Sequence, residues 1–346
     1  MTDFHLQNHL DFLRMVPGLP QNAPPADPDA FRSWQTALHT ELQRLMGLDG
    51  RSVPPVSARR LGSLDCGDYV EEKYALDAGE GVQIPVYMLT PKGRKPPATV
   101  LVFHGHEPSV QYALGRYPDE ATGRHNLSIG NNYAQALARA GYRVAAVEQR
   151  GFGERVSDDL RGPFPRSCRH LSLSYVLHGR TLLGERCWDG QRVIDYLLTQ
   201  PDVDADRIAV TGHSGGGATA LWLAAIEPRL CAAAVSGYFS SFRSSIAREA
   251  HCECNYVPGI LAVAEMSDLA MLIAPRAFCA LNGEKDHLFP VQAARESFEI
   301  VQQAYARLGV SQSCHLAVHP GGHEYPQALS LQWLEKTMAQ RGAGGG

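Results

Sequence analysis

Ile208-Ala-Val-Thr-Gly-His-Ser-Gly-Gly-Gly217 is an apolar, β-rich run that breaks into glycine around a single serine and reads as helix from Ala218. Gly212, Ser214 and Gly216 have the Gly-x-Ser-x-Gly form of a nucleophile elbow, with His213 just before the serine. The spacing has a steric cause. A serine lifted out of a strand on a tight turn leaves the residues two positions away facing close backbone, where only glycine fits. Ser214 is then exposed at the end of its strand. The following helix brings its first N–H groups near it, where they stabilise negative charge developing on a carbonyl oxygen.

The surroundings predict the architecture. Upstream, Thr99 to His104 is a short, continuous apolar run bounded by Pro-Pro and Gly, as expected of a strand buried on both faces. Helix and strand then alternate: helix Asn132 to Ala140, strand Tyr142 to Glu148, helix Gly184 to Gln200, strand Arg207 to Gly212, helix Ala218 to Ile226, strand Cys231 to Ser236. Strand Arg276 to Asn282, helix Pro290 to Leu308, strand Cys314 to Val318 and helix Pro326 to Ala339 complete the series. This rhythm implies an α/β fold, a mainly parallel sheet with helices on both faces and reactive groups at the carboxyl ends of strands. Ahead of it, Tyr69 to Leu76 and Val82 to Leu89 read as an antiparallel hairpin, and Asp29 to Met46 as a helix ending at Gly47. Residues 1–60 are expected to form a helical extension, 61–340 the main domain and 341–346 a glycine-rich, disordered tail. Two long stretches after strands, Gly151 to Leu183 and Tyr238 to Asp268, interrupt the alternation and are expected to serve as lids or pocket walls. Arg155, Arg161, Arg166, Arg169 and Arg180 in the first are expected to form a solvated charged surface.

A serine hydroxyl is a weak nucleophile until an imidazole takes its proton, and that imidazole needs a carboxylate to orient it. The acid and base should follow the serine at later strand ends. Asp286, four residues past the strand ending at Asn282, is the favoured acid, with Glu284 and Asp268 as alternatives. His323, in the loop Pro320-Gly-Gly-His323, is the favoured base over His287, His315 and His319. The backbone N–H groups of Gly215 and His106 are the expected oxyanion donors, with Gly105 letting the chain turn; loss of one such donor typically costs about 10²- to 10³-fold in rate. His104 is expected to make structural hydrogen bonds.

The eight cysteines are scattered and are expected to be free thiols. His251-Cys-Glu-Cys254 offers soft ligands, yet no second Cys or His pair stands at finger-like spacing to close a tetrahedral site. No metal and no cofactor are expected. With 346 residues, 44% of them hydrophobic, 20% charged and a net charge of −4, the chain can bury a large core and lacks the basic footprint of nucleic-acid binding. The N-terminal residues do not read as a signal peptide, and no run reaches the roughly 18 apolar residues of a membrane span. The expectation is a cytoplasmic protein with a small-molecule ester as partner, no nucleic-acid or membrane partner, and room for a homo-oligomer.

From about Tyr69 to Met338 the chain resembles the α/β-hydrolase superfamily, and within it the bacterial acetyl xylan esterase-like and dienelactone hydrolase-like branch. Phe103-His-Gly-His106, Gln149-Arg-Gly-Phe-Gly-Glu-Arg155, Trp188-Asp-Gly190, Asp204-Ala-Asp-Arg-Ile208, Gly212-His-Ser-Gly-Gly-Gly217, Asn255-Tyr-Val-Pro-Gly259, Asp286 and Gly321-Gly-His323 carry the resemblance. It implies an α/β-hydrolase fold and hydrolysis of small acyl esters, acetyl for example, through an acyl-enzyme on Ser214 with Asp286 and His323. Cysteine-dependent dienelactone hydrolases carry Cys where this chain has Ser214, which favours a serine esterase. An acyltransferase with the same triad, a peptidase and a non-catalytic binding protein on the same scaffold are the alternatives.

Overall fold

Short runs of Val, Leu and Ala between polar breaks become the strands of one sheet. The computed structural model describes residues 27–343 apart from 94, 97 and 157–166. Among them the strands are β1 (Ala58–Asp65), β2 (Tyr69–Asp77), β3 (Gln83–Pro91), β4 (Thr99–Phe103), β5 (Arg143–Val147), β6 (Ile208–His213), β7 (Ala232–Ser236), β8 (Ala277–Gly283) and β9 (Cys314–His319). The helices are α1 (Pro28–Met46), α2 (Glu120–Ser128), α3 (Tyr133–Arg139), α4 (Ser167–Leu177), α5 (Leu182–Leu198), α6 (Gly215–Ile226), α7 (Met266–Ile273), α8 (Val291–Arg307) and α9 (Gln327–Ala343). The sheet order is β1-β2-β3-β5-β4-β6-β7-β8-β9. β1, β2, β3 and β5 pair antiparallel, and every pairing from β5 through β4 to β9 is parallel.

The central strands are buried on both sides, which explains their lack of alternation. In β4, Leu101 and Phe103 join the core formed with α1, α5, α6, α7 and α8, while Val100 and Val102 join the core beneath α3 and α9. α1 is set by its ends: Asp27 caps Ala30 N–H at 2.8 Å, Pro28 opens the first turn, and Gly47 closes it at φ 71°. Phe31, Leu38, Leu42 and Met46 bury its inner face against α5, α6 and α7.

The structure departs from the sequence reading in several places. β1 was not expected because its eight residues are exposed along their whole length and carry Arg59, Arg60 and Asp65, a charged edge strand with no period-two pattern. α4 lies within the stretch 151–183 that interrupts the expected alternation, and α2 in a stretch to which the sequence reading assigns no element. α6 begins at Gly215, three residues before the expected start, because the elbow turns straight into the helix and three glycines are poor helix formers that tertiary context overrides. α9 runs to Ala343, so the tail expected from 341 starts inside a helix; residues 344–346 and 1–26 lie outside the described residues. No single helix among the described residues is long and apolar enough to cross a membrane.

Candidate active site

β6 ends in the elbow. Ser214 adopts φ 54° and ψ −120°, a conformation rare for a residue with a side chain and one that stores strain at functional turns. Its N–H donates to Ser236 O at 2.9 Å, hanging the turn from the end of β7. Glycine is obligatory on either side: a Cβ on Gly216 would sit 1.9 Å from Phe103 O, and one on Gly212 would sit 2.2 Å from Gly216 O. The elbow is thus pressed against the end of β4. Tyr133 and Tyr325 brace it, stacked with centroids 4.2 Å apart; Tyr133 donates to Phe103 O at 3.0 Å and the Tyr325 hydroxyl bonds Thr211 at 2.9 Å.

Two neighbouring strand ends supply an acid and an imidazole. Glu284 N–H donates to His319 O and Lys285 N–H to Gly321 O, both at 2.9 Å, joining the loop after β8 to the loop after β9. Across that joint His323 Nδ1 meets Asp286 Oδ2 at 2.7 Å. Asp286 is buried, and its other oxygen accepts N–H groups of Leu288 at 2.9 Å and Phe289 at 3.2 Å. These contacts hold the carboxylate so that it faces one ring nitrogen and leaves Nε2 of His323 for another partner. Nε2 is buried and has no hydrogen-bond partner among the described residues. The His323 ring lies 4.7 Å from that of His213, the residue before the serine, and stacks on Phe289 at 5.8 Å. The competing groups are otherwise engaged or exposed. Asp268 accepts Glu265 N–H at 2.7 Å in the capping box of α7, Glu284, His287 and His315 are exposed, and His319 pairs with Glu324 at 3.4 Å.

The loop after β4 closes over the elbow. A Cβ on Gly215 would meet His106 Cε1 at 2.7 Å, so the His106 imidazole covers the first residue of α6, and Gly105 lies beside His213 O. His104 is fully buried, its ring nitrogens bonded to Gly105 O at 2.9 Å and Gln149 N–H at 3.2 Å. Gln149 also accepts from the Thr219 hydroxyl at 2.6 Å, which ties the end of β5 to α6. Burial, then the charges of His323 and His319, push the His213 imidazole well below its ordinary value, so it is held neutral beside the serine, with Nδ1 on Ser236 Oγ at 3.1 Å. His251 is likewise held low by burial and by His106 and His323.

Beside this loop lies a cavity of about 550 Å³ lined by Phe152, Val156 and Cys168 of the first excursion, Cys252 and Glu253 of the second, and His106 between them. Ser214 is not in its lining; His106 is the residue shared by cavity and elbow. The arginines expected to be solvated behave otherwise. Arg155 pairs with Asp189 at 2.5 Å and Arg180 with Glu185 at 2.7 Å, in a buried network with Arg150 and Arg51, because two carboxylates under the sheet edge need counter-charge; Arg161 and Arg166 lie outside the described residues. Only Arg169, paired with Glu253 at 3.2 Å, stands exposed at the cavity rim. Although no second Cys or His pair stands nearby in sequence, the fold brings Cys168 and His106 to Cys252 and Cys254, while His251 packs against Phe289. No sequence signal could have paired residues so far apart.

Parallel strands that end first in a serine turn, then in an acid, then in a histidine are the mark of the α/β hydrolases, and the chain has that fold. The model of the prolyl oligopeptidase family matches residues 165–252, a stretch that holds Ser214 but neither Asp286 nor His323. A Bacillus subtilis (strain 168) protein provisionally named as a hydrolase, YtaP, is 26% identical over 308 residues, 86% of this chain and 98% of its own. A Bacteroides fragilis structure provisionally named as an acetyl xylan esterase aligns with a TM-score of 0.79 at 17% identity, covering 97% of this chain and 95% of that one. A glucuronoyl esterase from Teredinibacter turnerae aligns at 0.68 and 19% identity, covering 95% and 90%.

Proposed function

We propose that the chain is a serine carboxylic-ester hydrolase acting on small acyl esters, acetyl esters among them. The observation that carries this reading is the 2.7 Å Asp286–His323 bond, which leaves a buried, unpaired Nε2 at the strand edge where Ser214 stands in its strained turn. His323 takes the serine proton as Ser214 attacks the ester carbonyl, and Asp286 stabilises the imidazolium that forms. The N–H groups of Gly215 and His106 hold the oxyanion; the imidazolium gives its proton to the departing alcohol as the acyl-enzyme forms, and water, deprotonated by the now neutral imidazole, then releases the acid and returns the proton to Ser214. Neither cofactor nor metal takes part in these steps. Nε2 and the serine hydroxyl come together when substrate binds, as catalytic hydrogen bonds are often long before it does.

The names of the similar structures support the ester as the bond: one is named for an acetyl ester and another for a glucuronoyl ester. A peptidase reading draws on the family match over residues 165–252, which takes in Ser214 but neither Asp286 nor His323. The cavity of about 550 Å³, with Phe152 and Val156 beside Arg169 and Glu253, suits a small or sugar-like alcohol better than a long acyl chain. The test is hydrolysis of p-nitrophenyl acetate with fluorophosphonate labelling of Ser214. Turnover with labelling confined to Ser214 is expected. An intact, folded chain that neither hydrolyses nor labels sinks the reading, and a product split that rises with added alcohol or amine replaces it with an acyltransferase.

A further inference from the structure

Three sulfurs and an imidazole converge where the two excursions meet. His106 comes from the loop after β4, Cys168 from the first turn of α4, and Cys252 and Cys254 from the short 3-10 turn at Glu253–Asn255 in the second excursion. One ligand atom from each lies within 4.8 Å of all the others, His106 Nε2 and Cys254 Sγ are 3.2 Å apart, and every thiol is free. A tetrahedral ion with sulfur ligands at about 2.3 Å and nitrogen at about 2.0 Å holds its ligand atoms about 3.5–3.8 Å apart. The four atoms therefore need to shift by roughly one ångström to surround it.

A second feature concerns charge. Arg186 is buried to 1% exposure, donates to Arg150 O at 2.8 Å and to Cys168 Sγ at 3.0 Å, and lies 5.1 Å over the Phe152 ring. No carboxylate forms an ion pair with it among the described residues, unlike its neighbour Arg150, which holds two. A buried guanidinium with no counter-charge is costly. A divalent ion bound by three thiolates and a neutral imidazole has a net charge of −1, and N–H groups donated to its sulfurs are the usual outer contacts of such centres. Arg186 stands where that complex needs a cation.

We propose that His106, Cys168, Cys252 and Cys254 form a tetrahedral site for a thiophilic divalent cation of the zinc class, which clamps the loop after β4 to both excursions. All four positions are taken by protein, so the ion has no open place for water or substrate and its part is structural. On binding, three thiols release their protons as three metal–sulfur bonds form, with no change of oxidation state. Given the esterase reading, the clamp also fixes the His106 amide as an oxyanion donor, but the site itself does not depend on that reading.

The test is metal content of the full chain, purified under reducing conditions, stripped with a chelator and titrated with Co(II) and then Zn(II). Uptake of a single equivalent, with intense thiolate-to-cobalt absorption and the visible bands of a tetrahedral centre, is expected. C252S and C168S, each checked for folding by circular dichroism, should weaken Zn(II) binding by about 100-fold or more, since outer contacts alone are worth 10- to 100-fold. C66S, at a cysteine far from the cluster, should bind as the parent does. Running the titration in S214A as well separates metal from hydrolysis, because S214A should lose turnover and keep the cobalt spectrum. No uptake, uptake unchanged in both folded variants, or a Cys168–Cys252 disulfide that persists in the native reduced protein would overturn the site.

Discussion

The two sides of the site are built differently. On one side Ser214, Asp286 and His323 sit on short loops at the ends of β6, β8 and β9, each within four residues of a strand in a parallel ladder. On the other, Cys168 and Cys252 hang from longer excursions beside His106 of the loop after β4, held by side-chain contacts and a buried ionic network around Glu185 and Asp189. The strand-end side takes its geometry from backbone hydrogen bonds and tolerates little change. The excursion side takes its geometry from charge and packing, and its stability should respond to pH and to loss of single charges.

Four variants press on that difference. S214A and H323A should each lower kcat by on the order of 10⁴- to 10⁶-fold with the fold intact, read by ester hydrolysis and far-UV circular dichroism, since groups that act as a unit are lost together. D286N should keep the position of the ring but favour the wrong tautomer, with a loss of kcat of about 10⁴-fold and little change in KM. On the excursion side, D189N leaves Arg155 without its carboxylate and Arg150 with Glu185 alone, and should cost about 3–5 kcal/mol in urea unfolding, while fluorophosphonate labelling per folded molecule stays near the parent's. If D189N instead abolished labelling in folded protein, the two sides would not be separable.

The smallest effect concerns His213. Its folded pKa is depressed, by burial first and then by His323 and His319, so the unfolded chain binds a proton more readily than the folded one. Stability is therefore full above the ordinary histidine value near 6.5 and falls as pH drops below it toward the folded pKa, by at most about 1.4 kcal/mol per pH unit for one proton. Denaturation midpoints measured from pH 7.5 to 5 should fall with pH, and H213Q should lessen that fall, with His251 and His319, also held low by burial, carrying the rest. Asp189 adds a separate acid limb. Burial acts to raise its pKa, but Arg155 and Arg150 pull it below the usual carboxylate range, so its contribution persists above that range and is lost only as pH falls below it.

Much of the strand-end side was legible beforehand. Gly212 and Gly216 announce the elbow because sterics leave no other residue, and Asp286 and His323 announce themselves as an acid and a glycine-loosened histidine just past apolar runs. β1 and α4 were not legible: a solvated edge strand has no alternation, and α4 has a weak apolar face because a cavity and a buried arginine, not a continuous core, lie beneath it. The arginines of the first excursion were misjudged for the same reason. Their carboxylate partners, Glu185 and Asp189, lie inside a helix whose pattern reveals its apolar face and nothing of what its polar residues meet.

The alternation of strands and helices through the parallel half, the serine turn, and the places of Asp286 and His323 just past strand ends were legible in the sequence alone, because burial period, glycine sterics and turn chemistry act over a few residues. That Nε2 of His323 waits unpaired, that Glu185 and Asp189 bind four arginines, and that an imidazole and three sulfurs 148 residues apart at their widest crowd one point were decided only by the tertiary structure. Contacts between distant side chains depend on where whole elements pack, and no local pattern encodes that.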